Sequence, residues 1–162
     1  MVRRPYERFN ILYFKNKYKV EFFKLSKKKI IVTGGAGFIG SNLVSALLKK
    51  EEKIYVFDNF STGKDFNLDN KNPNLRIYNQ ELTHNFKLWP QIEADEIYHF
   101  AANADVRGGQ YNREIDFEQN LKVTKSICDY AVLNGIKKVV FASSATVYGE
   151  PLIFPTPEKN KS

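Results

Sequence analysis

The chain has 162 residues, 43% of them apolar, and carries 25 Lys and Arg against 18 Asp and Glu, a formal charge of +7. That length suits one domain with a real core, and no apolar run approaches the roughly 18 residues that would cross a membrane. The lone cysteine, Cys128, excludes an intrachain disulfide and suits a reducing, cytoplasmic setting; its place in a predicted helix marks it as a core thiol rather than a nucleophile.

The charge is unevenly spread. Residues 1–29 hold ten Lys and Arg against two Glu, a net of +8, whereas residues 30–162 hold fifteen against sixteen, a net of −1. The basicity therefore belongs to an N-terminal extension, residues 1–29, where aromatics such as Tyr6, Tyr13 and Phe22 interleave with Arg4, Lys15 and Lys24. The extension lacks the apolar centre of a secretory signal. Basic residues among aromatics are compatible with an anionic membrane surface or with nucleic acid. The reading adopted is an irregular extension, with Lys27 to Lys29 as the solvated edge of the first strand. No nucleic acid is expected as a partner of the near-neutral remainder.

Ile30, Ile31 and Val32 read as a buried parallel strand that breaks at Thr33-Gly34. A helix then runs from Phe38 to Lys50, its apolar positions Phe38, Ile39, Leu43, Val44, Leu47 and Leu48 following a helical period. Gly34, Gly37 and Gly40 mark this junction in a G-x-x-G-x-x-G spacing. The first allows the tight turn, the second removes a Cβ that would block a pyrophosphate, and the third lets the helix pack closely on the sheet. The first helical N–H groups and the positive end of the helix dipole then face the phosphates of a dinucleotide.

Lys53 to Asp58 is the second strand. Asp58 lies 24 residues after Gly34, near the offset at which a carboxylate meets the adenosine ribose diol; the same charge repels a 2′-phosphate, so NAD is expected over NADP. Asn59 to Lys64 form a polar loop able to close over the adenosine, and residues 65–74 are irregular. A third strand fits Leu75 to Tyr78, and a short helix within 84–92 is cut by Pro90. Glu96 to Phe100 is a fourth strand running into Ala101 and Ala102, small enough for a cofactor's flat face. A long helix covers Glu114 to Leu133, with Asn134-Gly135 as its stop. Lys138 to Ala142 is the fifth strand, and Ser143 to Gly149 follow directly from it. Alternating strands and helices imply an α/β fold, a doubly wound parallel sheet of strand order 3-2-1-4-5. Such sheets bind ligands at the carboxyl ends of their strands, beside the switch point. Gly34 to Gly37, Asp58, Ala101-Ala102 and Ser143 to Thr146 all fall there.

Four ordered stretches make the chain resemble a known family. They are Thr33-Gly34-Gly35-Ala36-Gly37-Phe38-Ile39-Gly40, Asp58-Asn59 with Ser61-Thr62-Gly63, His99-Phe100-Ala101-Ala102 with Asp105-Val106-Arg107, and Ser143-Ser144-Ala145-Thr146-Val147-Tyr148-Gly149. Together they are similar to the NAD-dependent nucleotide-sugar epimerases and dehydratases among the extended short-chain dehydrogenase/reductases. The last stretch resembles the UDP-glucose 4-epimerase branch. The resemblance covers about residues 30–157. It implies a three-layer Rossmann-like doubly wound parallel sheet with NAD bound, truncated after about five strands, over residues 30–162.

By the same resemblance, Gly34, Gly37, Phe38, Ile39 and Gly40 lie at the pyrophosphate. Asp58 and Asn59 hold the ribose, next to Ser61, Thr62 and Gly63. Glu81 and Leu82 flank the adenine, although the family usually has Asp where Glu81 stands. Phe100, Ala101 and Ala102 line the cofactor channel, and Asn120 matches a helix asparagine on the nicotinamide side. Val123-Thr124 stands where the family has Gly-Thr. Ser144 is the implied catalytic serine, bonding the sugar hydroxyl to be oxidised, with Thr146 close to the same substrate, a UDP-hexose. No metal is implied.

In the family a tyrosine, paired with a lysine four residues on, removes the hydroxyl proton while NAD takes and returns a hydride. No Tyr-x-x-x-Lys follows Ser144, since the fourth position after Tyr148 is Leu152. The expectation is an incomplete domain that binds NAD and is inactive alone. Apolar surface near Val139 to Phe141 would associate with a complementary chain or a second copy. The alternatives are a non-catalytic dinucleotide-binding module, a dehydratase fragment, or a function seated in residues 1–29.

Overall fold

A computed structural model describes residues 11–16, 19–24, 27–103, 105, 111–150 and 153–158. Strands β1 (Ile11–Asn16) and β2 (Lys19–Lys24) pair antiparallel as a separate two-stranded sheet. An irregular extension is expected there; two runs rich in β-branched and aromatic residues form a hairpin instead.

Five strands make the parallel sheet: β3 (Lys29–Thr33), β4 (Lys53–Asp58), β5 (Leu75–Asn79), β6 (Glu96–His99) and β7 (Lys138–Phe141). They lie in the order β5-β4-β3-β6-β7, the expected 3-2-1-4-5, so the chain reverses its direction of travel between β3 and β6. Val32 sits beside Val56 on one side and Tyr98 on the other.

The side-chain alternation of β3 and β4 sorts the core into two layers. Ile30, Val32, Ile54 and Val56 face helix α1 (Phe38–Leu48), meeting its Val44 and Leu47. Ile31, Phe57 and Ile97 face the opposite way, onto Trp89, Ile127 and Tyr130. Burying each such side chain contributes about 1.5–3 kcal/mol, so neither face is stable exposed and the three-layer architecture follows.

Two predicted helices are altered. The one within 84–92 shrinks to a 3-10 turn, Phe86–Leu88, capped by the Asn85 side chain accepting from the Lys87 N–H. Pro90 has no N–H to continue a helix, and this segment is held instead by Tyr130. The buried Tyr130 hydroxyl donates to the Pro90 carbonyl at 2.6 Å and accepts from the Ile92 N–H at 3.0 Å, while its ring lies 5.5 Å from that of Trp89. The helix expected over Glu114 to Leu133 runs as α2 (Arg113–Asp116), a π-helical segment Phe117–Lys122, and α3 (Val123–Leu133). Cys128 is exposed rather than a core thiol. Ile127, Tyr130 and Ala131 form the buried stripe of α3, and the residue after Ile127 falls outside that stripe.

At the amino ends of the strands, Glu96 ties three segments together. Its carboxylate accepts from Lys28 Nζ at 2.7 Å, Lys138 Nζ at 3.3 Å and the Tyr98 hydroxyl at 3.0 Å. The Lys28 bond in particular holds the Glu96 carboxyl below the usual carboxylate range. The opposite ends of the same strands carry the site.

Candidate functional site

The turn after β3 is held at its base by the Gly34 N–H donating to the Phe57 carbonyl at 2.9 Å. Gly34 has φ of +66°, and a Cβ on it would lie 2.7 Å from the Ala101 nitrogen, so no other residue fits that corner. Gly40 packs on this turn rather than on the sheet: a Cβ there would come within 2.2 Å of the Gly34 carbonyl oxygen. The glycine that meets the sheet is Gly35, whose Cβ would stand 2.7 Å from Val56 Cγ1. Gly37 is different again. It has an ordinary extended backbone and borders open space, with only the Gly34 oxygen, at 3.3 Å, near a built Cβ.

Gly37 is also the N-cap of α1. It offers no side chain to cap the helix, and the first turn contains no acidic residue. The first N–H groups of an 11-residue helix and the positive end of its dipole thus open onto the cavity without a competing anion of the helix's own.

That cavity measures about 370 Å³ and lies across the carboxyl ends of the strands. Gly34, Gly37, Phe38, Ile39, Gly40, Asp58, Asn59, Ser61, Thr62, Gly63, Glu81, Leu82, Phe100, Ala101 and Ala102 all line it, together with Gln80, Thr83, Gln119, Val123 and Ala142. All the candidate cofactor residues are therefore brought together except Asn120. The five additional lining residues were legible only as neighbours of predicted ones, because strand and helix spacing does not say which flanking side chain turns inward.

Asp58, at the tip of β4, is 7% exposed. One carboxylate oxygen accepts from the Ala36 N–H and the other from the Phe60 N–H, each at 2.8 Å. The carboxylate thus braces the glycine turn as well as facing the cavity. The loop after it folds back over the turn, with the Lys64 N–H and Asn67 Nδ2 both donating to the Ala36 carbonyl, at 3.1 and 2.9 Å. Gly63 is required there, since a Cβ would sit 2.8 Å from that of Ala36. Asn59 Nδ2 donates to Glu81 at 2.9 Å, and Thr83 donates to the same carboxylate through its N–H at 3.1 Å and its hydroxyl at 3.0 Å. Partial burial pushes the Glu81 carboxyl up, but the Asn59 and Thr83 bonds outweigh it and hold the group below its ordinary value. Two anionic side chains therefore border the cavity.

Beneath the opposite wall, the Ala101 N–H donates to Thr33 Oγ1 at 3.3 Å, and Thr33 Oγ1 lies 2.6 Å from His99 Nδ1. On the other side of the ring, His99 Nε2 lies 3.2 Å from Thr124 Oγ1. Burial pushes His99 down to about 4, so it is a neutral link between β3, β6 and α3. Asn120 is not among the residues that line the cavity. Its Oδ1 accepts from the Asn103 N–H at 2.7 Å and its Nδ2 donates to Asp116 at 3.3 Å. Ser144 is exposed and two residues beyond Ala142, outside the cavity lining. Thr146 lies in a 3-10 turn, Ala145–Tyr148; its side chain, like Val106 and Arg107, is outside the described residues. Among the described residues no cluster of His, Cys, Asp and Glu could hold a metal ion, and no helix is long and apolar enough to cross a membrane.

Helical N–H donors and two carboxylates border this one cavity, and both suit a dinucleotide with a free 2′-hydroxyl. Residues 30–162 match the NAD dependent epimerase/dehydratase family. The chain is 34% identical over 139 residues to UDP-glucuronic acid decarboxylase 5 of Arabidopsis thaliana, an alignment covering 84% of this chain and 39% of the relative. It is 35% identical over 136 residues to a putative UDP-glucose 4-epimerase of Methanocaldococcus jannaschii, covering 81% and 43%. The crystal structure of the Thermus thermophilus UDP-glucose 4-epimerase in complex with NAD is similar with a TM-score of 0.69 at 30% identity, over 83% of this chain and 45% of that one. The chain spans less than half the length of each of these proteins. A match that reaches every strand of the parallel sheet settles the kinship: the chain belongs to the NAD dependent epimerase/dehydratase family.

Proposed function

We propose that residues 30–162 are the NAD-binding portion of a UDP-hexose 4-epimerase acting in the cytoplasm. The observation that carries this reading is the uncapped head of α1 opening onto a cavity that Asp58 and Glu81 also border. In it, the N–H groups of Phe38, Ile39 and Gly40 receive the diphosphate, and Asp58 with Asn59 holds the adenosine ribose. Ser61 to Gly63, Glu81 and Leu82 enclose the adenine end, while Phe100, Ala101 and Ala102 supply the flat wall along the cofactor. When bound, NAD supplies reversible hydride acceptance from a sugar carbon. Ser144 is the residue assigned to hold the sugar hydroxyl, with Thr146 beside the same substrate. The similarity to a putative UDP-glucose 4-epimerase and the Ser143 to Gly149 stretch support epimerisation over dehydration.

These 162 residues contain no Tyr-x-x-x-Lys after Ser144. Loss of a general base typically costs about 10²–10⁴ in rate, so this polypeptide alone binds NAD and does not turn over sugar. The exposed Val139 and Phe141 of β7 support association with a complementary chain or a second copy. Calorimetry with NAD tests the binding, and absence of heat on folded material refutes it. A coupled assay with UDP-galactose tests the inactivity; turnover by the purified 162 residues overturns that part.

A further inference from the structure

The π-helical segment between α2 and α3 stands beside the cavity, and its hydrogen bonds converge on one atom. Asp116 Oδ1 accepts from Asn103 Nδ2 at 3.0 Å and from Asn120 Nδ2 at 3.3 Å. Asn120 in turn grips the Asn103 backbone from both sides, its Oδ1 accepting from the N–H at 2.7 Å and its Nδ2 approaching the carbonyl at 3.5 Å. Asn103 directly follows Ala101 and Ala102, and Asn120 directly follows Gln119; Ala101, Ala102 and Gln119 all line the cavity. The clamp therefore fastens the end of β6 to the π segment at the level of the cavity wall. Asn103, Asp116 and Asn120 are all half-buried, and a π turn of this kind is costly unless something specific retains it.

We infer that Asp116 is a positioning residue for the cofactor. Through a single oxygen it orients Asn120 and Asn103, and through them it fixes the Ala101-Ala102 and Gln119 walls at the separation that NAD requires. It touches neither cavity nor cofactor itself, since Asp116 is not among the lining residues. The inference rests on the NAD-binding reading of the site. It also specifies the chemistry of the clamp. Because both side-chain donors converge on the same oxygen, an acceptor is required at that point and a charge is not.

The test uses the full 162-residue chain and its variants, with NAD titrated by calorimetry and amide hydrogen exchange followed at Asn103. Asp116→Ala is expected to weaken NAD binding about tenfold and to speed exchange at Asn103, whose N–H loses an anchored acceptor. Asp116→Asn keeps one acceptor oxygen and is expected to restore both to near wild-type values, which a loss of charge would not allow. Asn103→Ala approaches the clamp from the other side and is expected to weaken binding about threefold, a second reading should Asp116→Ala fail to fold. NAD affinity in folded Asp116→Ala or Asn103→Ala within twofold of wild type overturns the inference, whatever the exchange rates do. Absence of NAD binding by the unaltered chain is a different failure; it removes the reading of the site, and this inference falls with it.

Discussion

Two alanine substitutions three residues apart should separate folding from cofactor binding. In an ordinary helix Gly40→Ala would stabilise by about 1 kcal/mol. Here the new Cβ would meet the Gly34 oxygen at 2.2 Å, Gly35 Cα at 2.7 Å and the Gly34 carbonyl carbon at 2.9 Å. All three are backbone atoms of a tight turn, with no flexible side chain to move aside. Overpacking of that kind costs about 3 kcal/mol, which leaves a net loss of about 2 kcal/mol and lowers Tm by roughly 4–8 °C for a domain of this size. Gly37→Ala meets only one atom, at 3.3 Å, on a backbone of φ −74° and ψ 175° that any residue adopts. Its stability cost is about 1 kcal/mol or less, the usual penalty of alanine at an N-cap. The added methyl group stands on the cavity lining where the diphosphate would lie, so NAD affinity should fall more than tenfold. Unfolding is followed by the fluorescence of Trp89, the single tryptophan, which is buried in the core, and binding by calorimetry. The reasoning is refuted if Gly37→Ala binds NAD within about threefold of wild type, or if Gly40→Ala is no less stable than the parent.

Asp58→Ala leaves the Ala36 and Phe60 N–H groups without their acceptor; the expected cost is about 3 kcal/mol together with loss of measurable NAD binding, and unchanged affinity would count against the ribose assignment. The unaltered chain should bind NADP at least tenfold more weakly than NAD, and Asp58→Asn should narrow that gap; calorimetry with both nucleotides decides, an equal gap in the variant being the adverse result. His99 takes a proton in the unfolded chain near pH 6.5 and in the folded chain only near 4. Stability is therefore complete above pH 6.5 and lost as pH falls through 4, by about 3 kcal/mol. Urea midpoints across that interval should show a flatter acid limb for His99→Gln, and an equally steep one would exclude His99 as the source.

The parallel sheet was legible because β3 and β4 are short apolar runs, one stopped by Gly34 and the other by Asp58, and because strand and helix signals then alternate along the chain. The glycine turn was legible by spacing, yet the division of labour was not: Gly40 answers to the turn and Gly35 to Val56, a distinction that depends on how two segments approach in space. The helix over 114–133 was read with an α period, which contains no sign of a π turn retained by Asp116 and Asn103, residues remote from each other in the sequence. Asn120 entered by resemblance alone, and neither spacing nor period could show that its side chain is engaged with the Asn103 backbone and Asp116. Phe86 and Trp89 show a further limit, since Pro90 and the distant Tyr130 hydroxyl decide that segment together. The hairpin over 11–24 was masked by its lysines, which read as solvated leader although the intervening Ile, Val, Tyr and Phe favour extended pairing.

β7 is one of the two edge strands of the five and has a neighbour on one side only. Among the described residues its far row of main-chain donors and acceptors is therefore left for water, beside the half-open faces of Val139 and Phe141. A strand with those properties is a template on which other chains pair. The rim rather than the nucleotide cradle is thus where self-association is expected to begin as concentration rises, and a charged residue in place of Val139 is the simplest means of opposing it.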